Sequence, residues 1–184
     1  DGDCAFQAAF TLRRVGESEM FDKTCLCYKQ TSPLEGNTIV SYDTEREFLV
    51  GVKDYILKHD IDIITGWNIF GFDLEYLAKR SIVCGCSDEF MELGKLKDTK
   101  SEMVYKRLSS SALGDNMLKL LPMSGRYIFD LFHEVKKEQK LDSYALNNVA
   151  KVLLGDQKID MPPKEMFKRF REGDPDKLVD VAEY

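Results

Sequence analysis

Apolar and polar residues alternate through the first third of the chain. Cys4 to Arg14 is apolar and aromatic with partial two-residue periodicity, and Phe21 to Tyr28 repeats that character after a polar turn at Gly16-Glu17-Ser18. That period and those residue types predict strands, with a short third strand over Thr38 to Tyr42. The period then lengthens. Thr44-x-x-Glu47 is a capping box, and Phe48, Leu49, Val52, Tyr55 and Ile56 behind it fall on one face at helical spacing. Ile61 to Gly66 reads as a compact strand rich in β-branched residues. Asn68 to Phe72 forms a connection, and Asp73 opens a helix with Leu74, Leu77, Ala78 and Ile82 inward.

The pattern from residue 87 to residue 125 is less regular. Met103 to Leu108 and Met117 to Met123 are expected to pair as a hairpin around Gly114-Asp115-Asn116. Tyr127 to Leu131 is a further strand candidate, running into a helix near His133 to Lys140. Ser143 is expected to cap a helix whose Leu146, Val149, Ala150, Leu153 and Leu154 face the core, closed by Gly155. A helix from Pro162-Pro163 carries Met166, Phe167 and Phe170. The last helix has Asp174 as cap and Pro175 at its first position, then Leu178, Val179 and Ala182. Strands, helix, strand, helix in this order indicate an α/β fold, a mixed sheet flanked by helices.

Composition changes this picture little. The 184 residues are 43% hydrophobic and 32% charged, enough for one domain with its own core. No run approaches the roughly 18 apolar residues of a membrane span. The net charge of −6 argues against nucleic-acid binding through a broad basic surface, although a metal-dependent nuclease site is itself acidic. The 5 cysteines include two Cys-x-Cys pairs, Cys25/Cys27 and Cys84/Cys86. Structural zinc prefers a spacing of two to four residues, so reduced thiols are the expectation.

Candidate chemistry is sparse. His59 and His133 have no local nucleophile to activate, and no phosphate-binding glycine loop is present. The segment that stands apart is Ile64-Thr65-Gly66-Trp67-Asn68-Ile69-Phe70-Gly71-Phe72-Asp73. A strand ends in glycine, the chain turns through polar and aromatic residues, and an acid sits at a helix start. Loops at strand ends carry functional groups in α/β folds, and a carboxylate there suits a hard divalent cation. From residue type alone Asp73 reads first as a helix N-cap.

Ile63 to Arg80, "IITGWNIFGFDLEYLAKR", closely resembles the second exonuclease motif of family B DNA polymerases. "SYDTEREFL" (Ser41 to Leu49) resembles the segment before it, and Trp67 stands where many relatives have tyrosine. "KLDSYALNNVAKVLLGDQK" (Lys140 to Lys158) resembles the stretch between the second and third motifs, and "GDPDKLVDVAEY" (Gly173 to Tyr184) the approach to the third. "SSSALGDN" (Ser109 to Asn116) looks most like the versions carried by large eukaryotic DNA viruses.

The resemblance implies a ribonuclease-H-like 3′→5′ exonuclease fold, truncated at both ends. It further implies proofreading by two divalent ions, Mg²⁺ with Mn²⁺ as an alternative, held by four carboxylates. On it, Asp73 matches a metal-binding catalytic acid. Asn68 and Phe72 match residues that contact the frayed single-stranded 3′ end, and Tyr184 matches the tyrosine that helps position the attacking water. The residues themselves leave core packing open for Phe72 and a routine helix face open for Tyr184. The first-motif Asp-x-Glu is expected upstream and the third-motif aspartate four residues past Tyr184, so the chain alone is expected to be inactive. The implied partners are a DNA primer-template, dNTPs and a sliding clamp, and no membrane. The implied setting is intracellular, in a host nucleus or a cytoplasmic viral replication site. A stand-alone exonuclease of the same fold and a catalytically inactive DNA-binding scaffold are the alternatives. The hairpin near residues 103–123 is expected to match a family loop that moves the primer end.

Overall fold

The computed structural model describes residues 2–110, 114–155 and 161–184. The chain divides into two compact units, residues 1–52 with 159–184, and residues 53–158.

In the first unit β1 (Gln7–Arg13), β2 (Met20–Tyr28) and β3 (Thr38–Tyr42) form a three-stranded mixed sheet in that order. β1 runs antiparallel to β2, and β3 parallel to it. Helix α1 (Glu45–Lys58) opens with the anticipated capping box: the Thr44 N–H donates to Glu47 Oε2 at 3.0 Å, and the Glu47 N–H donates to Thr44 Oγ1 at 3.1 Å. Its apolar face is buried at Phe48, Leu49, Val52, Tyr55 and Ile56, as the spacing requires. Glu45 on the same helix accepts from the Ala5 N–H at 2.8 Å in a buried position. Cys25 and Cys27 lie buried on β2 with sulfurs 3.7 Å apart. That contact holds the Cys25 proton more tightly, with burial adding to the effect, and lowers the pKa of Cys27.

Two further helices, numbered here α6 (Pro163–Glu172) and α7 (Pro175–Glu183), complete this unit. Asp174 caps α7 by accepting from the Asp176 N–H at 3.0 Å, with Pro175 at the first position. Phe170 stacks on Phe6 with ring centroids 4.6 Å apart, and Lys29 Nζ donates to the Phe170 carbonyl at 2.8 Å.

The second unit holds two small sheets. β4 (Ile63–Gly66) pairs in parallel with β7 (Tyr127–Asp130). β5 (Val104–Ser110) and β6 (Gly114–Leu120) form an antiparallel hairpin. The helices here are the remainder of α1, α2 (Asp73–Val83), the short α3 (Ser87–Phe90), α4 (Leu131–Glu138) and α5 (Leu146–Leu154). No sequence signal had indicated α3.

Several expectations are corrected. The strands do not form one mixed sheet; among the described residues they fall into three. β4 starts at Ile63, not Ile61: the Tyr127 N–H to the Asp62 carbonyl is the first bond of the β4–β7 ladder, and the Ile61 carbonyl before it accepts from Arg126 Nη1. Gly114-Asp115-Asn116 is not the hairpin turn but the start of β6, with Ser110 opposite Gly114 in register. The chain joining them, residues 111–113, lies outside the described residues, as do Asp156 to Lys158 of the segment Lys140 to Lys158. Ser143 is not the N-cap of α5; Ala145 takes that place, and Ser143 Oγ accepts from the Ala145 N–H at 3.3 Å. The apolar stripe of α5 exists, but only Val149 is buried, while Leu146, Leu153 and Leu154 are exposed. Ile82 is likewise exposed, although Arg80 and Ser81 in the same last turn of α2 are buried. The C-terminal glycine of α5 behaves as anticipated, Gly155 being left-handed at φ 69°.

Candidate functional site

The segment singled out by sequence leaves β4 at Gly66 and turns back at once. Asn68 has a left-handed backbone, φ 59°, which asparagine tolerates better than most residues. Its carbonyl accepts from the Gly71 N–H at 2.9 Å and the Phe72 N–H at 3.2 Å, folding residues 68–72 into a tight loop. Gly71 packs so close to the Asn68 side chain that an added Cβ would lie 2.3 Å from Asn68 Oδ1. A side chain at 71 would therefore displace the Asn68 amide.

The loop delivers Phe72 and Asp73 to the start of α2. Phe72 is 57% exposed and stacks on Tyr76, one helical turn on, with ring centroids 5.0 Å apart and planes 18° from parallel. Core packing is thus excluded for Phe72. Asp73 is not the N-cap; Phe72 occupies that position and Asp73 is the first helical residue. A carboxylate in the first turn meets the positive end of the helix dipole. Asp73 keeps an exposed surface, yet the protein crowding its carboxyl raises its pKa, and the Asp130 carboxylate adds to the rise. Its own backbone amide works in the opposite direction. A carboxyl in that situation gains from a neighbouring cation.

Asp130 carried no sequence signal beyond its place at a strand–helix junction. It is 2% exposed and caps α4 by accepting from the Phe132 N–H at 3.0 Å. The same carboxylate accepts from the Asn68 N–H at 2.7 Å and the Phe70 N–H at 2.9 Å. Trp67 beside this junction meets the Phe132 ring edge-on at 5.7 Å.

The hairpin reaches the same loop through its second strand, where the Lys119 N–H donates to the Phe70 carbonyl at 2.9 Å. Glu75 on α2 pairs with Lys119 Nζ at 2.8 Å and Lys79 Nζ at 2.9 Å, and accepts from Tyr105 Oη at 3.1 Å. Those donors, Lys119 foremost, pull the Glu75 pKa down to about 2. Glu75 is thereby committed to structure and not available to a ligand.

Asn68, Phe72 and Asp73 are brought together on one loop. Tyr184 belongs to the other unit, half-buried at the end of α7, where its N–H donates to the Asp180 carbonyl at 3.1 Å. Among the described residues no three His, Cys, Asp or Glu side chains cluster as a metal site. Asp73 offers an oxygen donor of the kind that hard divalent cations take. A concavity of about 380 Å³ lies away from this loop, lined by Leu57, Asp60, Lys95 and Arg126 among others. Within it Lys95 Nζ reaches Asp60 at 2.9 Å, and the same ammonium reaches Asp62 at 2.5 Å. No helix among the described residues is long and apolar enough to cross a membrane.

Comparison with known proteins converges on one family. Over 98% of its length the chain is 34% identical to a DNA polymerase of Paramecium bursaria Chlorella virus NY2A. Over 86% it is 36% identical to the DNA polymerase delta catalytic subunit of Oryza sativa subsp. japonica, and over 74% it is 39% identical to DNA polymerase 037L of Invertebrate iridescent virus 6. It spans 20%, 14% and 11% of those three proteins. The family model for the exonuclease domain of family B DNA polymerases matches residues 3–149, and the chain belongs to that family.

Proposed function

We propose that this chain is the proofreading part of a DNA-directed DNA polymerase, a ribonuclease-H-like 3′→5′ exonuclease domain that trims a mispaired 3′ terminus. The observation that carries the reading is the loop geometry: an exposed aromatic ring and a helix-start carboxylate presented side by side after β4. Phe72 stacks on the base of a frayed single strand, a grip that accepts any base because every base has a π face. Asn68 hydrogen-bonds the same nucleotide. Asp73 contributes one carboxylate to a divalent-cation site for Mg²⁺, with Mn²⁺ as an alternative. The bound cations supply an activated water and charge neutralisation at the phosphate. Tyr184 orients that water; support for this role is the family resemblance of the segment it ends. The DNA primer-template follows from the family, and dNTPs and a sliding clamp belong to the polymerase as a whole.

The test is Asp73→Ala in the full-length protein. Removal of a 3′ mismatch should fall by at least about a hundredfold, as expected for loss of a metal ligand, while nucleotide incorporation stays near wild type. Trimming at the wild-type rate would remove Asp73 from the metal site. A wild-type protein that incorporates but never trims would make the domain an inactive DNA-binding scaffold, and one that trims without incorporating would make it a stand-alone nuclease.

A further inference from the structure

We infer that Asp130 is a positioning residue for the nuclease loop, its buried carboxylate holding in place the backbone that presents Asn68, Phe72 and Asp73. The inference rests on the exonuclease reading for its consequence, but not for its geometry.

A buried carboxylate must find hydrogen-bond donors, and those of Asp130 are backbone amides. Oδ1 takes the N–H of Asn68 at 2.7 Å and of Phe132 at 3.0 Å, and Oδ2 takes the N–H of Phe70 at 2.9 Å. Capping α4 requires only the bond to Phe132. The other two run to a segment 60 or more residues earlier in the chain. They begin where the β4–β7 ladder stops, since Gly66 opposite Asp130 is its last pair. The side chain therefore continues the pairing into a loop whose left-handed Asn68 takes it out of the strand ladder. Asn68 and Phe70 are the alternate residues of that turn, so fixing both amides fixes its plane. Phe72 and Asp73 follow directly. A carboxylate suits the task because both oxygens accept, whereas a side-chain amide would turn a donor toward one of the two N–H groups.

Asp130→Ser in the full-length protein separates the two duties, because a serine at an N-cap still accepts from the helix amide but is too short to reach the loop. The measurements are hydrogen–deuterium exchange by mass spectrometry and trimming of a single-stranded 3′ end in Mg²⁺. We expect exchange in peptides covering residues 66–72 to rise at least tenfold while those covering residues 131–138 stay within twofold. Trimming should fall at least tenfold in kcat with incorporation unchanged. Asp130→Asn, the isosteric change, should loosen the same peptide to a smaller degree; it carries the test if the serine variant does not fold. Unchanged exchange at residues 66–72 would overturn the inference, and so would a loosened loop that trims within twofold of wild type. A wild-type protein that trims nothing sinks the nuclease reading, and the exchange comparison then still decides whether Asp130 holds the loop.

Discussion

Gly71→Ala offers a way to move Asn68 without mutating it. The new methyl would lie 2.3 Å from Asn68 Oδ1 and 2.8 Å from its Cγ and Nδ2, where ordinary contact begins near 3.4 Å. The Asn68 amide must therefore retreat by about 1 Å, the scale on which a misplaced group costs roughly a hundredfold in rate. Stability should change little. The clash falls on the far end of one side chain, whose rotation off a favoured rotamer costs about 0.5–1.5 kcal/mol. Gly71 is not among the left-handed glycines. The reduced freedom of the unfolded chain with alanine therefore returns about 0.4–1 kcal/mol. The expected outcome is a melting temperature near wild type with trimming of a mismatched primer reduced roughly ten- to a hundredfold. The assay is release of labelled 3′ mononucleotide, beside nucleotide incorporation as an internal control. Asn68→Ala should lose a similar factor, and the double variant should lose no more than either single one, because both act through one side chain. Trimming within twofold of wild type in Gly71→Ala, or full additivity in the double variant, would refute the assignment of Asn68.

Phe72→Ala should leave stability within about 0.5 kcal/mol, as for an exposed residue. Its grip on single-stranded DNA should weaken by about 1–3 kcal/mol, roughly five- to 150-fold in a binding titration, and unchanged affinity would show that the ring does not stack on a base. Thr44→Ala removes the hydroxyl that accepts from the Glu47 N–H, and should cost about 1 kcal/mol in denaturant unfolding. Glu75 sets a pH dependence. Its folded pKa of about 2 lies below the ordinary 4.5, so its stabilisation is complete above pH 4.5 and is lost as the pH falls toward 2. Melting curves of wild type and Glu75→Gln should therefore converge across that window, and a constant gap would mean that the ion pairs with Lys79 and Lys119 contribute nothing.

What the sequence determined by itself is local. The capping box at Thr44, the apolar face of α1, the Asp174-Pro175 start of α7 and the glycine stop of α5 depend on neighbours within a turn or two, so residue spacing suffices to read them. The loop carrying Asn68, Phe72 and Asp73 was legible for the same reason, being one short run of chain between a strand and a helix. Tertiary structure alone decided the rest. Whether the stripe of α5 is buried depends on what packs against it, and periodicity reports only that an apolar face exists: Val149 is covered and Leu154 is not. Phe72 was ambiguous between core and surface because an aromatic ring satisfies either, and its exposed stack on Tyr76 resolved the choice. Asp130 was the least visible. A strand-end aspartate before a helix reads as a cap, and its other two bonds join amides 60 and 62 residues away, which no local pattern encodes. A side chain's role is written in the sequence when its partners are near in the chain, and is settled by the fold when pairing β4 with β7 brings distant ones within hydrogen-bond reach.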